Sequence, residues 1–393
     1  MLEGYRVVEL AAWVAGPAAG GILADWGADV VKVEPPAGDP QRRIFGALGI
    51  DVATVPPFEL DNRGKRSVVL DLQTAAGAEA MRRLLATADV FVTNLRPDAL
   101  ERLGLNHGAL IERYPSLVYA SVTGYGLDGP DRDRPGYDVG VFWARSSMAQ
   151  SLVPHGELPP GIRSGLGDHV TGMTVVAGIN AALLKRERTG RGGLVATSLL
   201  RTGMYCMGWD IGIHLRFGRL QSTRPRTRQP APLVNCYQTG DGRGFWLLGL
   251  EQDRHWPGLV AALDRPDLGA DPRYGTASER AKHCEALVAA LDEEFARRPL
   301  SAWAERFDAH DVWWAPINTV AEVIEDPQAI AAGAFVDMPP VEGEAPYRAV
   351  ATPVDFGEDA LHIGAVPGLG QHTAEVLGEL GYSDSEIADL LPG

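Results

Sequence analysis

Residues 5–34 read YRVVELAAWVAGPAAGGILADWGADVVKVE. The apolar run at Tyr5–Leu10 predicts a strand, Ala18–Trp26 a helix and Asp29–Glu34 a second strand. Together they form a βαβ unit, the opening of a doubly wound α/β domain. Between strand and helix lies Gly16-Pro17-Ala18-Ala19-Gly20-Gly21, which departs from GxGxxG. Pro17 also removes an N–H that a pyrophosphate would use, so a nicotinamide dinucleotide is not the expected ligand.

Beyond residue 34 the alternation repeats. A strand is expected at Ser67–Leu72, a helix over Ala76–Ala88, a strand at Val90–Asn94, helices at Ala99–Leu103 and near Gly108–Tyr114, and a strand at Leu117–Thr123. A loop rich in Gly, Asp and Pro fills Gly124–Gly136. Such alternation implies a mostly parallel sheet with ligands at the carboxyl ends of its strands. Asn62, Lys65, Arg66, Asn94, Arg96 and Arg102 lie at or near those ends. They read either as ordinary solvated charge or as a local basic cluster for a phosphate-bearing ligand.

Further on, Arg216–Arg228 is basic and irregular and reads as a surface linker. NCYQTGDG at Asn235–Gly242 is a turn between strands, with FWLLG (Phe245–Gly249) as the second. Helices at His255–Leu263, Ser278–Arg297 and Ala302–His310 complete a small α+β domain. The tail has extended segments around Met338–Pro353 and helices at His372–Leu380 and Ser383–Leu390.

The 393 residues suffice for one large core and a smaller one. With 36 basic against 51 acidic residues the net charge is −15, which argues against nucleic-acid or acidic-membrane binding. Cys206, Cys236 and Cys284 are far apart and lack metal-ligand spacing, which fits a reducing cytoplasm. Neither a leader peptide nor an apolar run of about eighteen residues is evident, so a membrane span is not expected.

A second informative stretch is Gly165-Leu166-Gly167-Asp168-His169-Val170-Thr171-Gly172-Met173, leading into a helix. Val170, Met173, Val176, Ala177, Ile179, Ala182 and Leu183 recur at three and four and predict its buried face. Asp168 reads as the N-cap, where backbone N–H groups and the helix dipole favour the ionised form. On this window it is either a cap alone or an ionised carboxylate beside a pocket, hence a nucleophile. His169 reads as a capping or helix-surface residue. Trp143, Trp209, Trp246, Trp313 and Trp314 line a bulky cavity or are simply core.

The chain resembles the CaiB/BaiF group, the family III CoA transferases, which includes formyl-CoA transferase and the related α-methylacyl-CoA racemases. The resemblance rests on the opening stretch through GD at Gly38-Asp39, and on NRGKRSVVLDLQTAAG, TNLRPDALERLGL, YPSLVYASVTGYGLDGP, RPGYDV, GDHVTGM, TVAEVIEDPQ and LGQHTAEVLGELGYSDSEI, in the family's order. It implies a Rossmann-like large domain built from both chain ends (1–215 and 327–393), a small inserted α+β domain (216–326), and an interlocked homodimer. It also implies acyl-CoA and carboxylic acid substrates, no permanently bound cofactor and no metal. By family position Asp168 attacks the thioester to give an acyl-aspartyl anhydride and then an aspartyl-CoA thioester. Val14 and Ala15 lie by the thioester, where backbone N–H groups stabilise the oxyanion. Leu70 and Leu72 flank the adenine, Asn94 and Leu95 meet pantetheine or nucleotide, and Arg102 meets phosphate. Arg42 and Arg43 are added as phosphate ligands on charge alone.

Three departures matter. Formyl-CoA transferases carry glutamine at the place of Val14, which disfavours small polar acyl groups here. Their glycine run over the active site corresponds to RTRQPAPLVN at Arg226–Asn235, and a larger acyl group is the expectation. Pro35 stands where many members have a basic residue. The racemases place histidine where this chain has Tyr137, and tyrosine, with a pKa near ~10, is a poor base at neutral pH. Glu251 does match the racemase glutamate, so Tyr137, Asp138 and Glu251 are candidate supporting groups, and an isomerase or an acyl-CoA-binding protein without turnover are the alternatives.

Overall fold

Val7, Val8, Val30, Val31, Val90, Val92, Val118 and Ala120 are each at most 1% exposed. Strands buried on both faces belong to a parallel sheet covered by helices on each side. The computed structural model, which describes residues 1–52, 54–339 and 345–390, has that arrangement. In chain order its strands are β1 (Arg6–Leu10), β2 (Asp29–Glu34), β3 (Arg66–Val69), β4 (Val90–Thr93), β5 (Val118–Thr123) and β6 (Gly193–Ser198). They lie side by side as β3-β2-β1-β4-β5-β6, every pair parallel, with Val8 beside Val31 on one side and Phe91 on the other. The order reverses between β1 and β4. At such a switch point the loops beyond the two strands part and leave a crevice for a ligand.

The helices used below are α1 (Ala15–Asp25), α2 (Pro56–Asn62), α3 (Ala75–Leu85), α4 (Pro97–Leu103), α5 (His107–Arg113), α6 (Leu166–Thr189), α7 (Leu199–Cys206) and α8 (Gly208–Phe217). One face of the sheet packs Phe91 and Tyr119 against Met81 and Leu84 of α3. The other packs Val92 and Ala120 against Leu23 of α1 and Val176 and Ile179 of α6. The chain end returns to the first face, where the Val69 N–H donates to Thr373 Oγ1 (3.0 Å), the His372 N–H donates to Ser67 O (2.9 Å), and Arg6 and Arg66 both pair with Glu379.

Two compact units result. One comprises Met1–Ala149, Pro160–Leu220 and Gly333–Gly393; the other comprises Gln150–Pro159 and Gln221–Ala332. Residues 150–159, expected with the larger domain, cluster with the smaller unit. That unit is a three-stranded antiparallel sheet of β7 (Val234–Gln238), β8 (Gly244–Leu248) and β9 (Trp314–Pro316), covered by helices around Phe245, Phe295, Trp303 and Phe307. The helix expected over Ser278–Arg297 is broken at His283 into Ala277–Lys282 and Cys284–Phe295. Within the expected extended tail, 340–344 lie outside the described residues, and Phe335–Asp337 pairs antiparallel with Arg348–Val350. Among the described residues no helix is long and apolar enough to cross a membrane.

Helix α6 starts earlier and turns a different face inward than its apolar spacing predicts. Gly167, Thr171, Gly172, Val175, Val176, Ile179 and Leu183 are buried, while Met173 and Ala177 are exposed. Small residues set this face because α6 must approach α1 closely. A Cβ on Gly172 would lie 3.1 Å from both Ala15 O and the Ala18 Cβ.

Candidate active site

The loop leaving β1 is pinned on every side. Asn94, just beyond β4, donates from Nδ2 to Ala12 O (2.6 Å) and accepts the Ala12 N–H at Oδ1 (3.0 Å). The Trp13 N–H donates to Asp39 Oδ1 (3.1 Å), and Trp13 adopts φ 65°, a left-handed conformation that bulky residues seldom take. Beneath the loop, Lys32 Nζ donates to Ala11 O (3.1 Å) and pairs with Glu9 and Asp39 at 2.9 Å each. Lys65 Nζ donates to Pro17 O (2.8 Å) and pairs with the other Glu9 oxygen at 2.7 Å. The side chains of Glu9, Lys32 and Lys65 are wholly buried. Burial alone would neutralise Lys32, but Glu9 and Asp39 hold it charged. Lys65 is lowered to about 8 by burial and by the neighbouring Lys32, against the pull of Glu9. Both ends of the loop thus hang from one buried ion cluster.

Opposite this loop is the first turn of α6. Gly165, at φ 82°, is the residue before the helix, and its N–H donates to Asp138 Oδ2 (2.9 Å). Asp168 is therefore the third residue of the helix and not its cap, and no side chain caps this terminus. The expected cap hydrogen bond gives way because left-handed Gly165 already turns the chain. Asp138, a candidate supporting group, is 7% exposed and has its two oxygens on the N–H groups of Val139 and Gly165. It is a fastener for the α6 terminus.

Between loop and helix lies a cavity of about 370 Å³ lined by Ala12–Ala15, Asn94–Arg96, Ala99, Val122–Gly124, Arg134–Tyr137, Asp168 and Leu199. This is the switch-point crevice. The Asp168 carboxyl feels opposing influences: the helix terminus favours its charge, whereas burial, followed by the like charges of Asp138 and Asp61, disfavours it. Burial prevails, and the pKa is pushed up to about 7, with His169 pulling it back. His169, expected as a cap or surface residue, instead places Nε2 2.9 Å from Oδ1 of Asp61, which is 2% exposed.

The expected residues divide. Val14, Ala15, Asn94, Leu95, Tyr137 and Asp168 line the one cavity, with the Trp13 and Tyr137 rings edge to face at 6.1 Å. Leu70 does not: it is 2% exposed, in the core cluster just beyond β3. Leu72 lines a separate cavity of about 300 Å³ with Arg82, Leu103, Gly104 and Arg113. Arg102 is exposed on the last turn of α4. Arg42 is not a free phosphate ligand, because it forms a two-point pair with Glu34 (both 2.8 Å), donates to Pro367 O (3.0 Å) and stacks on Phe58. Arg43 is exposed at the end of the short Pro40–Arg43 turn. Glu251 belongs to the second unit, exposed and paired with Arg254. The Arg226–Asn235 segment is tied into that same unit by a two-point Arg226–Asp292 pair and by Leu233 in its core. Trp209 is 83% exposed and is not core.

Two cationic lining residues, Arg96 and Arg134, complete the cavity. Arg96 was noticeable as a strand-end cation; Arg134 sits in a loop whose reading gave no hint of direction. Among the described residues no His, Cys, Asp and Glu cluster of three or more could hold a metal ion.

The model of CoA-transferase family III matches residues 2–373. The chain is 34% identical over 392 residues to (R)-2-hydroxy-4-methylpentanoate CoA-transferase of Clostridioides difficile, covering 98% of this chain and 97% of that one. It is 35% identical over 399 residues to cinnamoyl-CoA:phenyllactate CoA-transferase of Clostridium sporogenes, covering 99% and 96%. Among solved structures, a CaiB/BaiF family protein from Brucella suis superposes with a TM-score of 0.84 at 32% identity, covering 96% of this chain and 98% of the other. On this similarity along nearly its whole length, the chain belongs to CoA-transferase family III and is an enzyme of that family.

Proposed function

We propose that the enzyme moves coenzyme A from an acyl-CoA thioester to a free carboxylic acid, with Asp168 as the nucleophile. What carries the reading is one half-buried carboxylate in a crevice whose facing wall is the loop from β1 to the start of α1. A carboxylate needs no proton removed before it attacks. One Asp168 oxygen bonds to the acyl carbon, the carbon–sulfur bond breaks, and CoA leaves as thiolate from a mixed anhydride. The thiolate then adds to the Asp168 carbonyl carbon, expelling the donor acid and leaving an aspartyl-CoA thioester. The acceptor carboxylate attacks that thioester, thiolate leaves again, and its addition to the acceptor acyl carbon frees Asp168 and yields the new acyl-CoA. Every step exchanges bonds of similar activation, so the sequence runs both ways.

The first N–H groups of a helix lack intrahelical partners. Those of Ala15 and Gly16 are the donors we assign to the developing oxyanion; Pro17 has none. Arg96 and Arg134 supply positive charge at the crevice. From there α4 leads to the cavity holding Leu72, Arg82 and Arg113, where we place the nucleotide end with Arg102 nearby. Arg43 remains an outlying phosphate candidate. The relatives' names carry branched and aromatic acids, and with Val14, Trp13 and Tyr137 on the wall we assign a bulky apolar carbon skeleton to the acyl group. We further assign a homodimer, supported by Tyr205, Trp209, Leu215 and Phe217 of α7 and α8, all at least 69% exposed. Its three free cysteines suit the reducing cytoplasm we assign it.

Asp168→Asn is expected to keep the fold and CoA affinity and to lose CoA transfer across a panel of thioesters and acids by at least about a thousandfold, on the scale of a lost nucleophile. Full transfer in the verified variant would refute the reading. Deuterium uptake at the α-carbon in D₂O without CoA movement would mark an isomerase, and CoA binding with neither reaction a binding protein.

A further inference from the structure

We infer that His169, held against Asp61, is a positioning residue: the counter-charge that keeps the Asp168 carboxylate ionised beside two other acids. The inference rests on Asp168 being the nucleophile. Three carboxylates converge on the start of α6 from separate elements. Asp168 is on the helix, Asp138 is fastened to its terminus, and Asp61 is buried at the end of α2. From α1 and α7 the neighbours are the apolar Val14, Ala15 and Leu199. Arg96, Arg134 and Tyr137 line the cavity but are exposed to solvent, and Arg134 lies 3.6 Å from Asp131. His169 lines a different cavity of about 570 Å³, shared with Glu59, Tyr347 and Arg348, and Tyr347 Oη donates to Glu59.

Asp61 cannot turn away to water. It is 2% exposed, and its second oxygen is 3.3 Å from Gln41 Nε2. The imidazole is consequently fixed next to Asp168 in the chain and against a buried anion. Burial weighs against a charged ring, but the hydrogen bond and charge of Asp61, with the charge of Asp168, outweigh it and raise the His169 pKa. Its cation in turn lowers that of Asp168. An opposite charge nearby favours the ionised form of a carboxylate, and each unit by which it lowers the midpoint is tenfold more ionised nucleophile at any pH well below it.

The test uses full-length protein labelled with ¹³C at the aspartate carboxyl, the Asp168 signal being assigned by its loss in Asp168→Asn. His169→Gln, which keeps a hydrogen-bonding group without the charge, is expected to raise the Asp168 midpoint by about a few tenths of a pH unit or more. His169→Lys is expected to move it back. An unchanged or lower midpoint in His169→Gln overturns the inference. Should that variant fail to fold, the His169 ring is followed in Asp61→Asn, where its titration must fall to lower pH; a ring that titrates as before also overturns it. Both readouts need no substrate, so they are separate from the fate of the nucleophile itself, which Asp168→Asn turnover decides.

Discussion

Asp168, the nucleophile we propose, would need its charge to attack, yet it sits where charge is disfavoured. Burial and the Asp138 carboxylate push its pKa up to about 7 from 3.8. Between those two values the folded protein binds more protons than the unfolded chain, so this group makes stability fall as pH rises from about 4 to about 7. Thermal melts of wild type and Asp168→Asn are therefore expected to diverge with pH, the variant gaining relative stability up to about pH 7 and holding that gain above it. A constant gap from pH 5 to pH 9 would show that the carboxyl is not held in this way.

At the scale of elements, two devices hold the crevice: the close contact of α1 with α6, and the ion cluster under the first loop. Gly172→Val is expected to push the helices apart and cost about 1–3 kcal/mol, the usual range for overpacking, read as a lower denaturant midpoint at unchanged slope. No loss would mean that the contact gives freely. Glu9→Gln leaves Lys32 and Lys65 buried without their shared anion and is expected to cost about 3–5 kcal/mol. Stability equal to wild type would show that water or another group replaces the carboxylate.

The elements were largely legible in the sequence because valine-rich strands buried on both faces leave unbroken apolar runs. Asp29–Glu34 is the expected strand to the residue. The inward face of α6 was not, because glycine and threonine, which hydropathy spacing passes over, make the closest approach. Nor was the cap: Gly-Asp before a helix suggests a capping aspartate, and only the backbone of Gly165 shows the chain already turned. Pairs such as Asp61 with His169, 108 residues apart, or Glu9 with Lys65, 56 apart, arise where parallel strands bring distant turns together. No spacing in the sequence encodes them. Arg42 misled for the same reason, its charge being visible and its partner Glu34 not.

For the molecule as a whole, β1 and the helix at Thr373–Glu379 share one unit, so the two chain ends fold together. The apolar side chains left exposed on α7 and α8 are on that unit too. Trp209→Glu is expected to convert the homodimer we propose to a monomer in light scattering, and an unchanged mass would remove this face from the assembly. The proposed transfer requires a bond that forms and breaks at Asp168. Its most direct test is mass spectrometry of the Asp168 peptide after incubation with a panel of acyl-CoA thioesters and quenching with hydroxylamine. A hydroxamate on Asp168 that requires thioester is expected; an unmodified peptide recovered while CoA is passing to the acceptor acid would contradict transfer through this carboxylate.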